Sequence, residues 1–241
     1  MYAEHPVCKL PSDSKLKVWR YVDLGKLLDL LDSKTLFSPL MSVLAGADPY
    51  EGFLGQATIG EIRKLPNMSE ENASKLIRVH EQAKRLFYVS CWHMNEQESA
   101  AMWSLYIRGG EGLAIQTTLG RLIASFADTN VAVFIGAVEY IDHQTMPISW
   151  VNVMSPILRK RASFEHEHEL RVIVSRSDSA GNPIGDEWGA RVAIRVEDLV
   201  ERIVVAPTAP GWLGDLVERI VRRLGYHFPV ERSPLLDRPV Y

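Results

Sequence analysis

Leucines at positions 24, 27, 28, 30 and 31 recur at helical spacing, so residues 23–33 are expected to form an amphipathic helix. Just before them, "KLKVWRYV" (15–22) has the β-branched and aromatic content of a strand. Residues 68–87 open on Ser69 and two acids and end in basic residues, the charge order a helix dipole favours. Short apolar runs predict strands at 86–92, 112–117, 131–141, 190–196 and 202–207. Helices are expected at 95–107, 119–127, around 148–160 and at 211–225, with Gly225 capping the last. Strands at 167–175 and 190–196, separated by the polar turn 178–189, predict a hairpin. Residues 38–55 carry three glycines and two prolines and predict a long loop. Residues 1–14, polar and broken by Pro6 and Pro11, predict a flexible arm. The mixture defines an α+β fold: a single domain over 15–241 with a central, mostly antiparallel sheet flanked by helices.

Composition narrows the partners. The chain has 241 residues, 46% apolar and 24% charged, enough for one compact core. A net charge of -3 argues against a dedicated nucleic-acid or anionic-membrane surface. Cys8 and Cys91 make neither a disulfide framework nor a paired metal spacing. No apolar run approaches the ~20 residues of a membrane span, and no basic-then-apolar leader opens the chain, which predicts a cytoplasmic protein.

The densest candidate chemistry is "KRASFEHEHELRVIV", residues 160–174. Read as a strand, it puts Phe164, His166, His168 and Leu170 on one face and Glu165, Glu167, Glu169 and Arg171 on the other. Carboxylates about 7 Å apart along one edge raise one another's proton affinity, which suits a general base or a cation site. Arg171, Lys160 and Arg161 are placed to relieve the repulsion. The same pattern also fits a solvated acidic face. His166 and His168 fit packing better than metal ligation, because no third ligand stands at zinc spacing; no metal is expected.

Other residues qualify on chemistry alone. Arg20, between Trp19 and Tyr21, needs an anionic partner, either a bound phosphate or an internal glutamate. Ser90 could hydrogen-bond a ligand or the strand itself. Cys91 has no His/Asn partner spacing and is expected to be an inert thiol. Trp92, Trp103 and Tyr106 form either an aromatic wall or core. Asp48, Glu51 and Gly52 begin a segment that is either a plain turn or a cover for a site. No GxGxxG, P-loop, HExxH or GxSxG pattern occurs.

The segments "WRYVDLGKLLDLLDSKTLFSP", "DPYEGFLG", "VSCWHMNEQESAAMWSLY", "GLAIQT", "GAVEYID", "KRASFEHEHELR" and "IVVAPTAP" resemble, in that order, a bacterial family known as the domain of unknown function twenty-nine seventy-one. The likeness spans about residues 16–235. The chain is also similar to ADP-ribosyltransferases of the arginine–serine–glutamate class, through Arg20, Ser90 and Glu167-His168-Glu169. That second resemblance implies NAD as substrate. Arg20 would grip its pyrophosphate, Ser90 orient the nicotinamide ribose, and Trp92 or Tyr106 stack on the nicotinamide. Glu169 would stabilise the oxocarbenium-like centre, and Glu167 would position or deprotonate the acceptor. The class's usual Ser-Thr-Ser is here Ser90-Cys91-Trp92.

Three functions therefore stand side by side. The first is an NAD-consuming transferase or glycohydrolase with an acceptor of unknown identity, in which Arg20, Ser90, Tyr106 and Glu169 converge in one cleft. The second is a metal-dependent nuclease or phosphoesterase, in which Glu165, Glu167 or Glu169 meets Asp48 or Glu51 around a cation, with Lys160 assisting. The third is a non-catalytic module of a phage-defence or toxin–antitoxin assembly, with the acids paired internally to Arg20, Arg161 and Arg171 and no pocket left. Asp48, Trp103, Lys160 and Arg171 are additional site candidates.

Overall fold

Asp23 ends one element and begins the next. In the computed structural model, which describes residues 1–44, 48–107 and 109–238, strand β1 (Lys17–Asp23) runs straight into helix α1 (Leu24–Ser33). The Asp23 carboxylate accepts the Lys26 backbone N–H at 2.8 Å, a cap worth about 1 kcal/mol. The leucine stripe then buries Leu27, Leu30 and Leu31 against the sheet, at roughly 1.5–3 kcal/mol per side chain. Lys34 closes the helix in a left-handed conformation (φ 53°) and turns the chain into β2 (Thr35–Pro39).

The chain continues through α2 (Met41–Leu44), α3 (Gln56–Arg63), α4 (Glu70–Ala83), β3 (Phe87–Met94), α5 (Ala100–Tyr106), β4 (Gly112–Thr118) and α6 (Leu119–Ala124). Next come β5 (Val133–Ala137), β6 (Glu139–Ile141), β7 (Arg159–Arg161), β8 (Glu169–Ser175) and β9 (Gly189–Ala193). Last are α7 (Val196–Leu199), β10 (Arg202–Val205), α8 (Gly211–Arg223) and β11 (Val230–Arg232). Seven strands form the central sheet in the order β11-β10-β4-β1-β3-β8-β5, antiparallel except for the β10–β11 pair. The expected mostly antiparallel α+β sheet is therefore present, with two small two-stranded sheets, β2-β9 and β6-β7, beside it. No helix among the described residues is long and apolar enough to cross a membrane.

Several local expectations are corrected. The hairpin between 167–175 and 190–196 does not form: β8 pairs with β3 and β5, and β9 pairs with β2. The run 131–141 is two strands broken at Val138, whose N–H turns aside to the Glu169 carbonyl. The helix expected around 148–160 shrinks to a 3-10 turn, Ser155–Leu158, before β7. The helix expected at 95–107 keeps only α5, capped by Ser99. Part of the 38–55 loop is regular, in β2 and α2, and residues 45–47 lie outside the described residues. Of the expected arm 1–14, residues 1–9 run along β5, where Ala3 donates to the Val133 carbonyl and Ala137 to the Lys9 carbonyl.

The sheet contains one weak join that positions everything that follows. β1 pairs with β4 over seven residue pairs, and β3 pairs with β8 over seven. β1 and β3 meet only at Val18–Met94 and Trp19–His93. Beyond that point the two strands part.

Candidate active site

The parting of β1 and β3 opens a cavity of about 230 Å³. β1 contributes Arg20 to its wall, β3 contributes Ser90 and Trp92, and α5 contributes Tyr106. Glu167 and Glu169 line it as well. Six residues expected for NAD chemistry, distant in the chain, thus face one hollow.

Arg20 is held but not neutralised. One guanidinium nitrogen donates to the Ser90 hydroxyl, another to the Phe37 carbonyl at 2.9 Å, and the cation lies 5.8 Å from the Trp92 ring centre. Among the described residues no carboxylate pairs with it. Burial lowers its pKa to about 10, so it keeps its charge at neutral pH. A desolvated guanidinium with only neutral partners is a ready anion site.

The acids are arranged otherwise than a strand would arrange them. Ala162–Glu167 is a 3-10 helix, His168 is left-handed (φ 39°), and β8 begins only at Glu169. Glu165 is exposed, while Glu167 and Glu169 are buried. The kink at His168 turns both carboxylates onto one ammonium: Lys160 Nζ stands 2.7 Å from Glu167 Oε2 and 3.4 Å from Glu169 Oε2. Lys160 reaches the acids because β7 alternates: its neighbours turn to other partners, Arg159 to Glu139 and Arg161 to Asp48. Arg171, fully buried, forks onto Glu169 (Nε–Oε1 3.1 Å, Nη2–Oε2 2.9 Å) and also contacts Glu51. Glu51 Oε1 lies 3.6 Å from Lys160. Burial alone would raise the Glu169 carboxyl, but Arg171 and then Lys160 pull it down to about 2. Three carboxylates thus meet two cations in one buried network.

Four expectations change place. Asp48 is buried in an ion pair with Arg161 (2.8 Å) and does not line the cavity. Trp103 packs edge-on against Tyr21 and donates to Glu98, lining a separate groove beside α5. Lys160 and Arg171 lie behind the acids and not in the wall. Glu51 does join Glu167 and Glu169, but the positive charge between them is Lys160 and Arg171, which occupy the place a catalytic cation would need. The acids are indeed paired internally, yet Arg20 is excluded from that pairing and a pocket remains.

His93 was not singled out by sequence. It lies in the same cavity wall, is buried, and its Nδ1 is 2.6 Å from the Glu167 carbonyl oxygen. A carbonyl can only accept, so Nδ1 carries a proton. Burial lowers the His93 pKa and the nearby His168 lowers it further, against the carbonyl, which raises it. The available signal was its strand: His93 is three residues beyond Ser90 on β3. Cys91, also in the wall, has its thiol pushed well up by burial and then by Glu169, as expected of an inert sulfur.

No family model matches the chain, so the expected membership in the domain of unknown function twenty-nine seventy-one gains no support there. No curated protein matches it either. Among solved structures the chain is similar to the DarT of Thermus sp. 2.9 in complex with NAD+, at 10% identity and a TM-score of 0.42, covering 93% of this chain and 98% of that one. It is also similar to the same organism's DarT in complex with ADP-ribosylated ssDNA, at 11% identity and a TM-score of 0.42, covering 91% of this chain and 94% of that one. A likeness this distant says nothing by itself about what this chain binds.

Proposed function

We propose that the chain is an NAD-consuming enzyme, an ADP-ribosyltransferase or an NAD glycohydrolase, acting in the cavity between β1 and β3. One observation carries this reading: Arg20 and the Glu167/Glu169 pair line one hollow, so a cation and carboxylates from distant parts of the chain share it. NAD has the matching polarity, with an anionic pyrophosphate and a cationic nicotinamide ring. The cavity, about 230 Å³, is smaller than the roughly 300–1,000 Å³ of pockets that enclose whole ligands, so it suits one end of a dinucleotide.

In this reading Arg20 holds the pyrophosphate, and Ser90 keeps the guanidinium aimed while meeting the ribose. Trp92 or Tyr106 stacks on the ring. Bound NAD supplies an ADP-ribosyl group as its bond to nicotinamide breaks. Glu169, kept ionised, is the fixed negative charge toward the positive charge that develops at the ribose carbon. Glu167 Oε1, which meets no donor among the described residues, takes the acceptor's proton. The acceptor's identity is open: water makes the chain a glycohydrolase, a macromolecule a transferase. The metal-dependent reading is set below this one because Lys160 and Arg171 already stand between the acids, where a metal ion would have to sit.

Incubation with NAD and measurement of free nicotinamide tests it. Release by the wild type that falls at least about a hundredfold in Glu169→Gln is expected. A folded wild type that neither binds NAD nor releases nicotinamide, with or without candidate acceptors, overturns it.

A further inference from the structure

Two acids placed side by side in a buried wall do not ordinarily both stay ionised. Like charges in partial burial push one carboxyl to hold its proton, and a protonated Glu167 or Glu169 would be useless as charge or base. The structure contains a specific remedy. Lys160 Nζ sits between the two carboxylates, 2.7 Å from Glu167 Oε2 and 3.4 Å from Glu169 Oε2, with Glu51 Oε1 at 3.6 Å. Arg171 cannot do the same work, because its fork is spent on Glu169 and Glu51 and makes no contact with Glu167. Among the described residues Lys160 is the one cation on Glu167.

Its placement is built in at several levels. β7 is three residues long, and its parallel pairing with β6 fixes which side chain faces inward. The Phe164 ring lies 4.9 Å from the ammonium and covers it. Occupying Oε2 of Glu167 leaves Oε1 as the open oxygen.

We propose that Lys160 is a positioning residue for the reaction argued above: it keeps Glu167 and Glu169 ionised together and leaves Glu167 Oε1 as the oxygen that receives the acceptor's proton. The proposal rests on the NAD-consuming reading for its catalytic half, and on geometry alone for the ionisation of the pair. Besides Lys160, the groups facing the pair are Arg171 on β8, Glu51 from the turn before α3, Cys91 on β3, Tyr106 on α5 and Tyr140 on β6. Cys91 and both tyrosines have raised pKa values, chiefly from burial, so none of the three titrates near neutrality. His93 meets Glu167 only at its backbone carbonyl. Burial alone would lower the Lys160 pKa, but Glu169, Glu51 and the bond to Glu167 raise it. Lys160 therefore remains a cation through the whole range in which the acids could titrate.

The test uses Lys160→Met, with Lys160→Ala plus propylammonium as the second variant should the first not fold. Two readouts separate the halves of the proposal. Infrared spectra at pH 7 are expected to show a protonated carboxylic acid band in the variant that the wild type lacks and that Glu167→Gln in the same background removes. Absence of that band overturns the ionisation role. In nicotinamide release, the acid limb of the variant's pH profile is expected to move up by roughly three to four units, to near pH 8, with about a tenfold loss at pH 7 that is largely regained by pH 9. Propylammonium is expected to restore the alanine variant at pH 7. A uniform loss with an unshifted profile and no rescue means Lys160 is merely structural and overturns the catalytic half. A wild type that releases no nicotinamide overturns the NAD-consuming reading and that catalytic half with it, while the infrared band still decides the ionisation of the pair.

Discussion

Arg20 donates to the Ser90 hydroxyl across the gap between β1 and β3, so the two strands are bridged by side chains where their ladder has ended. A guanidinium anchored to neutral oxygens keeps its full charge for a ligand. Arg20→Gln is expected to weaken NAD binding by about 1.5–3 kcal/mol, roughly ten- to a hundredfold, measured by calorimetric titration. An unchanged affinity would remove Arg20 from the binding site.

Arg171 is buried with both of its carboxylate partners. Replacing it alone leaves Glu51, Glu167 and Glu169 to share the single ammonium of Lys160. Arg171→Met is expected to lose about 3–5 kcal/mol in urea denaturation. Adding Glu169→Leu to that background should recover part of the loss, because one of the crowded charges is removed along with its partner. A single variant as stable as the wild type would contradict the ion network.

The depressed Glu169 pKa has a definite pH signature. A carboxyl at about 2 in the folded chain and near 4.5 when unfolded adds stability that is fully present above the unfolded value. That stability is lost as pH falls from about 4.5 toward 2. Acid unfolding followed by circular dichroism should therefore be less steep over this window in Glu169→Gln than in the wild type. Identical slopes would show that Glu169 is not held ionised.

His168 sits at φ 39°, where a side chain is strained and glycine is not. His168→Gly is expected to be neutral or stabilising by up to about 1 kcal/mol, and His168→Val to destabilise by more than that, in thermal unfolding. If valine is tolerated as well as glycine, the turn that brings the two glutamates together is not as described.

The two thiols offer a simple check on burial. Burial raises Cys8 to about 11 and also pushes Cys91 well up. Both should react slowly with a disulfide reagent at pH 8 in the folded chain and quickly once urea unfolds it. Fast labelling of Cys91 in the native protein would place it at the surface.

What the sequence made legible was mostly local. The α1 stripe and the Asp23 boundary follow from spacing and capping over a few residues. Ser69 and the acids after it mark the start of α4 in the same way. The chemical candidates stood out by type: Arg20 and Ser90 interrupt apolar runs, and Glu169 belongs to the Glu/His alternation. The pairing of strands was not. β8 and β9 look like a hairpin because a polar turn separates them, yet β8 is claimed by β3 and β5, whose apolar faces give no sequence sign of that preference. Nor was the kink at His168 visible, because alternating Glu and His mimics strand periodicity while the backbone turns through a 3-10 helix. Glu167 and Glu169 end up together for a different reason from the one their spacing suggests.

The seven-stranded sheet is in effect two leaves, β11-β10-β4-β1 and β3-β8-β5, stitched along their common margin by two residue pairs near Trp19. Each leaf carries half of the proposed machinery, the guanidinium on one and the acids on the other. The stitching is therefore both the shortest seam in the ladder and the spine about which the halves must stay registered, so a substitution there would misalign partners it never touches.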